Sequence, residues 1–263
     1  MKLTEETIFD IKNNKNKTVY KINNGLPYSA IESFNKGIID EVFDFAYGMS
    51  FGEKGHHRSY RSGGISRRKN GQIFADTFQG KLAEFALFNI LNINDIKVDR
   101  PDNDYYGVGI WDDSDFNYKN NKISVKSTKS FGQLLLLEAA DWTKDGLYIP
   151  NLGTGNEYYD YFVLVRLDPF ITNLMYKNRI YFSSYIEKSK LRELILHEEF
   201  TYDIPGCMTR KTLAWLIKNN YLIKQGGYIN NDFKNNKLDA DNYYIQANNL
   251  FPINKMINCL KFL

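Results

Sequence analysis

Apolar residues recur along this chain at two periods, and the change of period divides it. From Ala30 to Tyr47, the residues Ile31, Phe34, Ile38, Val42, Phe43 and Ala46 fall three or four apart, which predicts a helix with one buried face. The same spacing returns from Ile73 to Leu91 at Phe74, Phe78, Leu82, Phe85, Ala86 and Ile90. Between the two, Gly52 to Gly71 is rich in glycine and arginine and reads as a loop. After Asn92 the segments shorten. Ile96 to Val98 is a strand candidate, and residues 99–114, with Gly107 and Gly109, form a polar loop. Asp115 to Tyr118 and Lys122 to Ser127 read as two short strands joined through Lys119-Asn120-Asn121. Tyr161 to Leu167 is almost continuously apolar and has the length of a strand buried on both faces.

The flanks are less regular. Residues 1–27 read as an irregular start with a short strand at Thr18 to Ile22, and the Asn/Lys-rich patches Lys12 to Lys17 and Lys234 to Lys237 as exposed turns. Ile180 to Tyr185 is another strand candidate. Lys188 to Leu196 reads as a helix, and Thr209 to Asn219 as a clearer one, capped by Thr209 with Leu213, Leu216 and Ile217 on one face. Tyr221 to Lys224 reads as a strand ending at Gly226-Gly227. Helix, hairpin, central strand and further helices predict an α/β (α+β) fold with a mixed central sheet flanked by helices, in one domain over residues 1–263.

Composition narrows the class. With 263 residues and 43% hydrophobic content a sizeable core is possible, yet no stretch approaches the roughly 20 apolar residues of a membrane span. The N-terminal segment has no apolar leader pattern, so a cytoplasmic protein is expected. The two cysteines, Cys207 and Cys259, form no Cys-x-x-Cys pair and read as reduced; with three histidines they cannot furnish an ordinary structural zinc site. Most of the 19 tyrosines and 18 phenylalanines are assigned to the core. The net charge of +3 does not by itself demand nucleic acid. Its distribution is more telling. Lys54, Arg58, Arg61, Arg67, Arg68 and Lys69 follow one another without an intervening acid, among His56, His57 and Tyr60, as a segment for selective phosphate contact would.

The chemistry-bearing stretch begins at Trp111 and holds Asp112, Asp113, Asp115, Ser124, Val125 and Lys126. An acid stands at the start of one strand and a Ser-Val-Lys segment in the middle of the next. Alternation points Ser124 and Lys126 to the same side, and a hairpin brings Asp115 near both. Hydrolysis of a phosphodiester by a hard cation needs this kind of set: a carboxylate for the metal, and a lysine to orient the metal-bound water and offset charge on the phosphate.

The arrangement resembles the PD-(D/E)xK nuclease superfamily, in particular type II restriction endonucleases, over about residues 74–167. Asp115 matches the first acid and Lys126 the lysine, while Ser124 stands where the family usually has Asp or Glu. The resemblance implies a Mg²⁺-dependent endonuclease acting on double-stranded DNA and leaving 5′-phosphates. It implies metal ligands in Asp115, the Val125 carbonyl and a glutamate from elsewhere, because members with Ser-Val-Lys take the missing acid from a neighbouring helix. Glu84, on the preceding helix, and Glu138, after Leu134 to Leu137, are the two candidates. Residues 1–73 and 168–263 would then serve recognition and dimerisation, with Arg58, Arg61, Arg67, Arg68, Lys69 and His57 on the DNA and a homodimer placing one centre on each strand.

Plainer readings stand beside these. Lys126 could snorkel from an apolar strand to the surface. Asp113 is the rival first acid, and Asp115 could serve a turn. Glu84 could be a surface residue paired with Lys81. The basic loop could be a solvated segment. Thr209 to Tyr228 could form a winged-helix-like reader but more simply packs, and His197 beside two glutamates reads as a surface residue. No nucleotide-binding loop, Gly-x-Ser-x-Gly elbow or His-Glu-x-x-His motif competes. The rival functions are a structure-specific repair or recombination nuclease and a DNA-binding module with a decayed nuclease core.

Overall fold

Two antiparallel strands open the chain, β1 (Thr4–Asp10) and β2 (Lys15–Lys21), followed by the two-residue β3 (Glu32–Ser33). The computed structural model describes residues 2–11, 14–52, 68–103, 114–230 and 237–263. Lys15 to Lys17 thus belong to a strand, where the sequence suggested a turn. Helix α1 (Lys36–Ser50) starts later than the apolar spacing predicts, because Asn35 caps it by accepting the Ile38 N–H. Ile31 is left outside the helix and exposed. Helix α2 (Asn70–Ile93) holds the predicted stripe, with Phe74, Phe78, Leu82, Phe85 and Ala86 fully buried. Its first turn is closed by Gln72, whose side chain accepts the Lys69 N–H at 2.9 Å.

β4 (Phe116–Tyr118) and β5 (Asn121–Lys129) form the predicted hairpin. Lys119 and Asn120 both have positive φ (47° and 66°), the left-handed pair that a two-residue turn between twisted strands requires. There follow β6 (Leu134–Glu138), β7 (Tyr161–Asp168), α3 (Ile171–Lys177), α4 (Lys188–Leu196) and β8 (Thr201–Thr209). The chain continues through α5 (Arg210–Lys218), with Thr209 as its cap, β9 (Leu222–Ile223), β10 (Tyr228–Ile229), β11 (Asn242–Gln246) and α6 (Ile253–Lys261). Ile96–Val98 and Ile180–Tyr185 are not strands.

The principal sheet runs β3-β8-β7-β5-β4, with β5 and β7 parallel and the other pairs antiparallel. A mixed α/β architecture is therefore observed. β7 is buried on both faces, as its composition predicts. Val163, Val165 and Leu167 join α1 and α2 in the largest core, while Phe162 and Leu164 meet Leu135, Leu137, Trp142 and Met208 on the other side. That second side is roofed by the sheet β6-β11-β9 and by Leu213 and Leu216 of α5. β9 and β10 lie in different sheets, so they do not form the wing of a winged helix.

β8 bends around a bulge. Leu164 faces Gly206 and Arg166 faces Asp203, so Ile204 and Pro205 together oppose Val165. Pro205 needs such a place, since it cannot donate to the ladder. The bulge also shifts the phase of the strand: Tyr202, Ile204 and Cys207 all enter the α1/α2 core. Next to it, the Phe251 backbone closes on Gly206 so tightly that a Cβ there would lie 2.3 Å from the Phe251 carbonyl oxygen.

Arg166 of β7 is wholly buried, and its charge is met on all sides. Nε donates to Asp203 at 2.8 Å, Nη1 to the Leu26 carbonyl at 2.7 Å and Nη2 to the Pro27 carbonyl at 2.9 Å. Removing a fully buried ion pair from water is costly, and a complete set of hydrogen bonds offsets that cost. The group ties the segment before β3 to the central strand. Both cysteines are free, Cys207 buried and Cys259 exposed.

Candidate active site

β4 pairs only with Asn121 to Ile123. Beyond Ile123, that edge of β5 meets no strand among the described residues, and Asp115 occupies its first position. The Asp115 carboxylate accepts a hydrogen bond from the Val125 N–H at 2.6 Å through Oδ2. Within a strand, the N–H and C=O of one residue point to the same neighbour. The Val125 carbonyl therefore emerges on the side where the Asp115 carboxylate sits. Asp115 and this carbonyl offer hard oxygens, the donor type that Mg²⁺ prefers, at an edge with no further strand among the described residues.

Alternation separates the faces of β5. Ile123 and Val125 pack with α1 and α2, while Ser124 and Lys126 lie beside Phe162 and Leu164 on the opposite face. Lys126 is partly buried and makes no hydrogen bond or ion pair among the described residues. Ser124 is buried to 3% exposure. Hence Ser124 and Lys126 share a face, as the sequence indicates, and Asp115 reaches the backbone between them.

Glu84 lies on α2, the helix against the other face. It is ion-paired with Lys81 at 2.7 Å, and the same ammonium donates to the Asp102 carbonyl at 2.7 Å. The pairing that the sequence allowed is thus formed, but in a mostly buried setting. Glu84 thus stands on the helix that covers the face of β5 opposite Lys126. Glu138 ends β6. By alternation it follows Leu134 and Leu136, which face the third apolar cluster with Tyr244 and Ile223, and not Leu135 and Leu137, which face Phe162. It pairs across β11 with Asn242.

Of the basic segment, Arg68 and Lys69 fall within the described residues; His57, Arg58, Arg61 and Arg67 lie outside them, as does the rival acid Asp113. Arg68 Nη1 bonds Asp76 at 3.1 Å, and Lys69 stands at the start of α2. His197 is exposed, as expected.

One feature was not foreseen. Asp76 and Gln79 of α2 open onto a polar cleft of about 720 Å³ bounded by the end of β5 and by α3. Gln79 Nε2 donates to Ser127 Oγ at 3.0 Å, joining the helix to the strand one residue beyond Lys126. The signal was present as polar Asp76 and Gln79 inside an apolar helical pattern.

Among the described residues, no three His, Cys, Asp or Glu side chains cluster to hold an ion, and no helix is long and apolar enough to cross a membrane. The fold and site define a mixed α/β protein in which an acid bonds the main chain of the strand that carries a lysine. No protein-family model matches the chain, and neither does any curated protein or solved structure.

Proposed function

We propose that this chain is a metal-dependent endonuclease of double-stranded DNA, sequence-specific in the manner of type II restriction enzymes, with a restriction endonuclease-like core. The observation that carries the reading is the contact between the Asp115 carboxylate and the Val125 N–H at 2.6 Å. It joins the first acid of the motif to the strand of the lysine, beside an outward main-chain carbonyl.

Asp115, the Val125 carbonyl and Glu84 are the residues that would hold Mg²⁺, with Glu84 exchanging part of its pairing to Lys81. When bound, the ion polarises the phosphate and makes its bound water acidic. Lys126 orients the attacking water and offsets charge on the phosphate oxygens. Arg68, Lys69 and the basic stretch before them contact the DNA backbone and bases. A homodimer places one such centre on each strand of a palindromic site and leaves 5′-phosphates.

Digestion of unmethylated phage DNA with Mg²⁺ tests the reading. Discrete fragments are expected from the native protein and none from Lys126→Ala. The second reading, a DNA-binding module without cleavage, is favoured by the burial of Ser124 where the second acid is expected. That module would retard DNA on a gel and leave it intact with every divalent metal tried.

A further inference from the structure

The polar cleft between α2, the end of β5 and α3 has no role in the centre at Asp115. Its volume of about 720 Å³ lies within the range of small-ligand sites. Its walls combine three chemistries. Tyr176 is 48% exposed, and its ring lies on that of buried Tyr181 with centroids 4.3 Å apart and planes 31° from parallel. Phe182, also exposed, extends the aromatic group at 5.0 Å from Tyr181. Opposite, Gln79 is fixed by its bond to Ser127, which leaves the amide carbonyl and one N–H as an acceptor–donor pair. Asn173 adds a second amide, and Lys129 brings a positive charge to the rim.

Half-exposed Tyr176 on buried Tyr181, two amides and a cation share the cleft with Asp76, whose charge Arg68 meets at 3.1 Å, and together they fit a planar ring with a hydrogen-bonding edge and an anionic substituent. We propose that the cleft binds a single nucleotide unit, its base stacked on Tyr176, its edge read by Gln79 and Asn173 and its phosphate near Lys129. Stacking on aromatics and amide contacts to base edges are the two means by which proteins hold unpaired bases. A base drawn out of a duplex and a free mononucleotide offer the same chemistry. The proposal rests on the reading of this chain as a nucleic-acid protein, but not on cleavage.

The test uses the full chain and two probes. The four deoxynucleoside 5′-monophosphates are titrated by calorimetry, and DNA duplexes carrying 2-aminopurine are titrated by fluorescence, with Ca²⁺ in place of Mg²⁺. Saturable binding of at least one mononucleotide, or a fluorescence rise on duplex binding, is expected. Either signal should weaken on the order of tenfold in Tyr176→Ala and in Asn173→Ala, both surface changes. A rise with the duplex identifies a base taken from DNA, and mononucleotide binding without it identifies a free ligand. Asp115→Ala should abolish cleavage and keep these signals. Should the native protein cleave DNA while neither probe responds, or should both variants bind as the native protein does, the cleft assignment is overturned and the nuclease reading is left standing. Nucleotide binding without any cleavage would uphold the cleft and remove the nuclease.

Discussion

Asp115 and Val125 are joined side chain to main chain, the Asp115 carboxylate accepting the Val125 N–H at 2.6 Å where β4 has already ended. The contact has both a structural and a chemical part, and substitution can separate them. Asp115→Asn keeps an acceptor for the N–H and removes the charge; Asp115→Ala removes both. Both variants should lose DNA cleavage by about 100-fold or more. Only Asp115→Ala should also lose stability, by about 1 kcal/mol, read as a shift of the denaturant midpoint.

Glu84 and Lys81 allow a different separation. If Glu84 ligates the ion, Glu84→Gln should raise the Mg²⁺ concentration needed for half-maximal cleavage, and Lys81→Met should not. Both changes disturb a mostly buried ion pair at 2.7 Å, so both should lower stability. Equal Mg²⁺ dependence in the two variants would assign Glu84 a purely structural part.

Arg166 is the most exacting position for folding. Arg166→Met leaves Asp203 buried without its partner and should cost about 3–5 kcal/mol in urea unfolding. The double variant Arg166→Met with Asp203→Leu should recover much of this, because it removes the stranded charge. Failure to recover would assign the cost to the other bonds of the group, from Arg166 to the Leu26 and Pro27 carbonyls and from the Ser29 N–H to Asp203.

Alkaline pH should unfold the protein in a defined window. Burial, and secondarily the neighbouring Cys259, pushes the Cys207 thiol from its ordinary 9.0 up to about 12. Burial likewise raises Tyr20, Tyr28, Tyr161 and Tyr244 above 10.0. Each raised group keeps its full contribution below its unfolded value and loses it as pH climbs toward the folded one. Melting temperatures should therefore fall above pH 9, with Cys207→Ala removing the earliest part of the fall. Below pH 9 a maleimide should label Cys259 and spare Cys207 until the protein unfolds.

The legible parts of this chain are those where local pattern and tertiary role agree. α2 and β7 bury the residues that their spacing nominates, and the Asp115–Lys126 hairpin forms from period-two strands around a turn. β8 escaped notice because Pro205 and Gly206 interrupt it and its bulge reverses the alternation halfway along. Helix α6 was missed too, although Met256, Ile257 and Leu260 mark its buried side. Ile180 to Tyr185 has strand-like residues, but its aromatics pack against α3 instead of a ladder. For the site, the shared face of Ser124 and Lys126 followed from alternation. Which face α2 would cover is a matter of sheet order, and that is why the positions of Glu84 and Glu138 relative to Lys126 could not be read in advance.

The bulge at Ile204-Pro205 has a consequence for how the sheet assembles. In a regular antiparallel pair, a strand can slide by two residues and still keep its ladder and its faces. Here a slide in either direction would put Pro205 opposite a ladder position that needs an N–H and draw Asp203 away from Arg166. The two central strands can therefore join in a single alignment, and a proline, the residue least suited to a sheet, acts as the key that excludes every other one.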